Sequence, residues 1–118
     1  MAEKDTKDDY MAVKAKLDKE TLNILDQVCE KRQRKRNFIM VEVLDQWAFQ
    51  GKWQGRTVIT NKEEYADKDV SVKLRKDTRD ALDKYRWGRK RSMSYIINEI
   101  LTFWAMQVKD KIPEMVPD

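Results

Sequence analysis

Apolar and polar residues alternate strictly from Asp69 to Leu74: Val70, Val72 and Leu74 on one side, Asp69, Ser71 and Lys73 on the other. A period of two predicts a half-buried strand. A looser alternation runs through Tyr10–Leu17, with Met11, Val13, Ala15 and Leu17 facing inward and Ala12, Lys14 and Lys16 facing outward. After each strand the period lengthens. Leu22, Leu25, Val28 and Cys29 make one helical stripe, and Ala81, Leu82 and Tyr85 make another. Each predicts a helix of about three turns. Asp18 or Glu20, and Lys76-Asp77-Thr78, supply cap-like residues near the two helix starts. Two stronger helices follow. Ile39, Met40, Val43, Leu44, Trp47 and Ala48 fall on one broad face, and so do Ile96, Ile97, Ile100, Leu101, Trp104 and Ala105.

The pattern is written twice. An ungapped shift of 57 residues lays Val13–Ala48 over Val70–Ala105 with 14 of 36 positions identical. Lys16/Lys73, Thr21/Thr78, Arg32/Arg89, Arg34/Arg91, Glu42/Glu99 and Trp47/Trp104 are among them. A unit of this size closes a core with difficulty on its own, whereas two in one chain close one together. The organisation expected is a flexible tail at 1–9, a first unit at 10–50, a linker at 51–68, a second unit at 69–110 and a short tail at 111–118. Residues 10–110 would fold as one pseudo-twofold domain. Gly51, Gly55, a short extended piece at Thr57–Thr60 and the acidic Glu63-Glu64 mark the linker, and Pro113 and Pro117 end the last helix.

Charge sharpens the picture. The net charge is only +4, but Lys31-Arg32-Gln33-Arg34-Lys35-Arg36 and Arg86-Trp87-Gly88-Arg89-Lys90-Arg91 concentrate cations at matching turns. Local clustering of this kind suits an anionic partner better than net charge suggests. Gly88 would end the third helix, with Ser92 or Ser94 capping the fourth; Asn37 is the one equivalent cap for the second. The chain has no histidine and one cysteine, Cys29, so zinc-type ligation and internal disulfides are excluded, and a reducing cytoplasm fits. Neither a signal-peptide pattern nor a membrane-spanning run is expected. No catalytic constellation and no cofactor are expected, and Glu42 and Glu99 are read as partners for the turn arginines.

Strand, short helix, basic turn and amphipathic helix, in Val13–Leu17, Arg32–Asn37 and Ile39–Trp47 and again in Val70–Leu74, Arg89–Ser94 and the helix through Trp104, resemble the ribbon-helix-helix family of the Arc, MetJ and CopG repressors. The resemblance covers two units of 36 residues. Family members normally dimerise to form an antiparallel ribbon; here both strands lie on one chain. It implies a mainly α fold with a two-stranded antiparallel β-ribbon, a tandem pseudo-dimer in the order β-α-α-linker-β-α-α. It further implies sequence-specific binding of double-stranded DNA and a transcriptional regulator, with a phage, archaeal viral or plasmid origin.

A ribbon fits the major groove, where lysine donates to guanine and serine pairs with several bases. The base-contacting candidates are therefore Ala12, Lys14, Lys16, Asp69, Ser71 and Lys73. The phosphate-contacting candidates sit at the turns and second-helix starts: Arg34, Lys35, Arg36 and Asn37, with Arg91, Ser92, Met93 and Ser94. The matched pair Lys16/Lys73 predicts half-sites alike at that position and different elsewhere. Trp47 and Trp104 are expected in the core and Cys29 as a small buried residue. Trp87 is open between packing and a sugar-phosphate contact. Trp53 and Tyr65 of the linker either clamp it onto the core, the favoured reading, or mark a partner surface. Two rival readings stand beside DNA recognition: a protein-interaction module with that linker surface as its contact, and non-specific nucleic-acid binding through the basic turns. Further self-association on DNA is a possible addition.

Overall fold

The alternating segment at the start of each repeat forms a strand, and the two strands pair with each other. The computed structural model describes residues 10–50 and 65–118. The tail at 1–9, Gly51, Trp53, Gly55, Thr57–Thr60 and Glu63-Glu64 lie outside them. The element order is β1 (Tyr10–Ala15), α1 (Lys19–Arg32), α2 (Arg36–Gln50), β2 (Val70–Arg75), α3 (Lys76–Arg89), α4 (Met93–Val108) and a closing 3-10 helix, Lys109–Glu114. The fold of the described residues is thus mainly helical, with one two-stranded antiparallel sheet. The closing 3-10 helix has no place in the expected order.

The ribbon register pairs Tyr10 with Arg75, Met11 with Leu74, Ala12 with Lys73, Val13 with Val72, Lys14 with Ser71 and Ala15 with Val70. Lys14 and Ser71 are 57 residues apart, so the two repeats meet at this rung. Ala15, Leu17, Val70, Val72 and Leu74 are buried beneath the ribbon and Val13 is half-buried. Met11 departs from the expected alternation: it is 50% exposed, at the strand end furthest from the centre of the pairing.

The core crosses between repeats. Helix α2 packs on β2, α4 packs on β1, and α2 and α4 pack on each other. Leu25, Ile39, Leu44, Trp47, Leu82, Ile96, Ile100 and Leu101 are essentially inaccessible. Each such side chain contributes about 1.5–3 kcal/mol of burial, which neither half supplies alone. Two buried threonines tie the halves at the same offset. Thr21 Oγ1 shares a 2.8 Å hydrogen bond with Thr102 Oγ1, and Thr78 Oγ1 donates to Asp45 Oδ1 at 2.5 Å.

Several local expectations need correction. Asp18 and Arg75 occupy the N-cap positions of α1 and α3 and neither gives a side-chain cap bond. Glu20 and Asp77 instead lie in the first turns, where the helix dipole favours them. Gly88 lies inside α3, and Lys90 takes the left-handed position with φ 55°, as Gln33 does after α1 with φ 56°. Ile24 is buried on α1, while Leu22 and Cys29 are half-buried. Burial, more than the nearby Asp26, raises the Cys29 thiol above its usual range. Trp47 is fully buried edge-on to Tyr85, 5.0 Å between centroids, but Trp104 is half-buried.

Residues 111–118 are not a loose tail. The 3-10 helix packs on α1 and α4, Ile112 is buried, and Asp118 reaches Arg32. The end of the linker is also docked: Ala66 is buried, its N–H donates to the Leu17 carbonyl at 2.8 Å, and Tyr65 bridges to Asp18.

Candidate nucleic-acid interface

Turning the apolar side chains of β1 and β2 into the core leaves the opposite face of the ribbon in solvent. Ala12, Lys14, Lys16, Asp69, Ser71 and Lys73 are all exposed there. The structure brings them together as three rungs. Lys14 sits opposite Ser71 at the centre and Ala12 opposite Lys73 to one side. Lys16 and Asp69 follow on the other side, just beyond the strand ends, with Lys16 Nζ 3.7 Å from Asp69 Oδ1. A fourth rung, Tyr10 opposite Arg75, extends the same exposed face. Carrying the period of two one step further in each strand would have found it.

The second helices start at the edges of this ribbon. Asn37, in the first turn of α2, accepts the Lys73 N–H on its Oδ1 at 2.7 Å. Ser94, in the first turn of α4, accepts the Lys16 N–H on its Oγ at 2.9 Å. Asn37 and Ser94 are 57 residues apart, as are Lys16 and Lys73, so each repeat clamps the other's strand. An outward strand N–H is a pairing hazard when left bare, and these side chains occupy it. Asn37 therefore does not cap α2. Ser92 caps α4, its hydroxyl accepting the Tyr95 N–H at 3.1 Å.

The basic turns consequently flank the ribbon. In each, an arginine lies over an aromatic ring one helical turn ahead: Arg34 over Phe38 at 4.5 Å and Arg91 over Tyr95 at 4.8 Å. Stacking narrows the positions available to each guanidinium while leaving it exposed. The Arg-x-x-x-aromatic spacing was the sequence signal for these platforms. Lys35 is also exposed. Arg36 is held by Asp26 at 2.7 and 3.0 Å, which raises its pKa. Met93 is half-buried against the core, so it offers the start of α4 only its backbone.

Arg32 and Arg89, the last residues of α1 and α3, are bound bidentately by Glu42 and Glu99. The repeated carboxylates do hold repeated arginines. Glu99 is buried and its hydrogen bonds raise the Arg89 pKa. Arg32 is raised too, by Asp118 foremost and then Glu42. Asp118 in turn is lowered by Arg32, and its Oδ2 lies 3.4 Å from Arg34 Nε. Trp87 is 65% exposed with the Arg86 guanidinium 4.4 Å above its ring, so it does not pack into the core.

No family model, curated protein or solved structure matches this chain. The site therefore stands on its own geometry. An open groove lined by Tyr10, Arg34, Lys35, Lys73 and the carboxylates Glu42 and Asp45 joins one end of the ribbon to the first basic turn. It links base-reading candidates to phosphate-binding candidates along one surface. Among the described residues no helix is long and apolar enough to cross a membrane, and no three His, Cys, Asp or Glu side chains group as a metal site requires.

Proposed function

We propose that this chain is a tandem ribbon-helix-helix protein, a single-chain pseudo-dimer that binds double-stranded DNA in a sequence-specific manner and regulates transcription by occluding or organising a promoter. It is not an enzyme and uses no cofactor. The observation that carries this reading is the solvent-facing ribbon of Lys14, Lys16, Ser71, Lys73 and Arg75, flanked by helix starts that present Arg34 and Arg91 on aromatic platforms. A two-stranded ribbon enters the major groove, about 12 Å wide, and its outward side chains reach base edges. The flanking guanidiniums and helix N-termini then meet the phosphates on either side, fixing register without reading sequence.

Titration with random and with selected duplexes tests this. Arg34→Ala together with Arg91→Ala is expected to weaken binding to all sequences alike and to flatten the salt dependence. The slope is expected to fall by about one unit for each phosphate that is no longer neutralised. A change in the preferred sequence on removing these arginines would put them on bases and overturn the arrangement. Failure of the wild-type chain to retain any duplex would favour a protein partner instead. Equal affinity for every duplex would favour a purely electrostatic binder.

A further inference from the structure

The ribbon register exposes a difference between its two ends that the repeat conceals. From the central Lys14–Ser71 rung, one direction leads to Ala12–Lys73 and then Tyr10–Arg75. The other leads to Lys16 and Asp69, ion-paired at 3.7 Å, beyond which the register changes and Asp18 bridges Tyr65. Lys16 and Lys73 match in sequence but not in surroundings: Lys73 faces the methyl group of Ala12, whereas Lys16 faces a carboxylate. The offset that relates the repeats places Asp18 where the second copy has Arg75, and Asp67 where a second Tyr10 would stand. Asp18 is itself tied down, its N–H donating to Asn98 Oδ1 at 3.1 Å and its side chain accepting from Asn98 Nδ2 at 3.4 Å. One end thus presents two cations and a phenol; the other presents one cation paired with a carboxylate.

We propose that the ribbon reads DNA with a polarity: the Tyr10–Lys73–Arg75 end recognises a guanine-bearing half-site and supplies most of the discrimination, while the Lys16–Asp69 end reads its half-site weakly. The target is then a directional DNA site, not a palindrome. This rests on the DNA-binding reading above and adds to it the source of specificity. The chemistry is that of the major-groove edge. Arginine donates bidentately to guanine O6 and N7, and lysine donates to the same atoms. A carboxylate has no donor for guanine O6 or N7; it accepts from the cytosine N4 or adenine N6 amine and repels phosphate. The Asp69 carboxylate offsets the charge of Lys16, whereas no carboxylate is paired with Lys73 or Arg75 among the described residues. The groove that runs from Tyr10 and Lys73 to Arg34 lies at the same end; its carboxylates, Glu42 and Asp45, are engaged by Arg32 and by Thr78, and Arg34 itself lies 3.4 Å from Asp118.

The test is selection of bound duplexes from a random library by the full chain, followed by titration of Arg75→Ala, Lys73→Ala and Lys16→Ala on the selected site. The expected consensus is non-palindromic, with guanine in one half only. Arg75→Ala is expected to lower affinity about tenfold and to relax the preference for that guanine, as removal of a bidentate base pairing does. Lys16→Ala is expected to lower it less, and Asp69→Ala to strengthen binding at the weak half. Arg75→Lys separates reading from charge: it keeps the cation for a phosphate but loses the planar fork. Full rescue by lysine would overturn the assignment of guanine reading to the Arg75 fork; a palindromic consensus, or a Lys16→Ala effect as large as that of Arg75→Ala, would each overturn the polarity while leaving DNA binding intact. No retained duplex would overturn the DNA reading itself. Circular dichroism on each variant confirms the fold, since Lys16, Lys73 and Arg75 are exposed and outside the core.

Discussion

Gln33 and Lys90 carry the two positive φ values among the non-glycine described residues, 56° and 55°, at equivalent places in the two turns. Glycine favours this position, yet the one nearby, Gly88, sits two residues early and inside α3. The reason lies beyond the turn. Arg89 has to stay helical to meet Glu99, which is buried, and the Lys90 and Arg91 N–H groups close the helix on the Trp87 and Arg86 carbonyls at 3.2 and 3.0 Å. Glycine is thus absent where it would help and present where it costs stability. Lys90→Gly is expected to stabilise the fold by about 1 kcal/mol, the cost of a left-handed residue with a Cβ. Gly88→Ala is expected to add roughly 0.5–1 kcal/mol, because nothing lies within 4 Å of the new Cβ. Urea midpoints measure both. A destabilising Gly88→Ala would show that α3 ends before this residue in solution.

At the level of elements, the helices differ in how they bind the opposite repeat. Thr21 and Thr78 are equivalent and buried, but one meets the Thr102 hydroxyl and the other the Asp45 carboxylate. A hydrogen bond to a charged group contributes about 1.5–3 kcal/mol, against about 0.5–1.5 kcal/mol for a neutral one. Thr78→Val is therefore expected to destabilise more than Thr21→Val. A double-mutant cycle of Thr78→Val with Asp45→Ala measures the coupling, and a coupling near zero would mean that water satisfies Asp45 equally well. The element boundaries and buried faces were largely legible, since a period of two or 3.6 needs no partner to be read. The caps were not. Asn37 and Ser94 looked like helix caps because their residue types fit, but each is used by the neighbouring strand edge, a contact that exists only once the repeats are assembled.

For the molecule as a whole, α2 on β2 and α4 on β1 interlock the halves, so they share one core. Unfolding is expected to be a single transition whose midpoint does not move with protein concentration, because both partners are on one chain. A midpoint that climbs steadily with concentration would mean that the strands pair between chains, as in a swapped dimer. The segment from Lys109 to Asp118 belongs to this assembled body as well: Ile112 and Met115 pack against the core and Asp118 joins Arg32 to Arg34. Pro113 and Pro117 mark the end of the last α-helix and a short tail, but proline forbids only a continued α-helix and permits this 3-10 turn.

The chain by itself determined the repeated pattern, a mainly helical fold with two paired strands, which faces are apolar and where the cations cluster, because each is a property of local spacing and residue type. Even the bonding of Glu42 and Glu99 to arginines was readable from their repetition. Only the tertiary structure decided what the repetition hides. Antiparallel pairing sets Lys16 against Asp69 but Lys73 against Ala12, and it adds Tyr10 and Arg75 to the exposed face. A sequence alignment compares each residue with its copy. A ribbon surrounds each residue with its cross-strand neighbour instead, and that neighbour sets the charge a ligand meets.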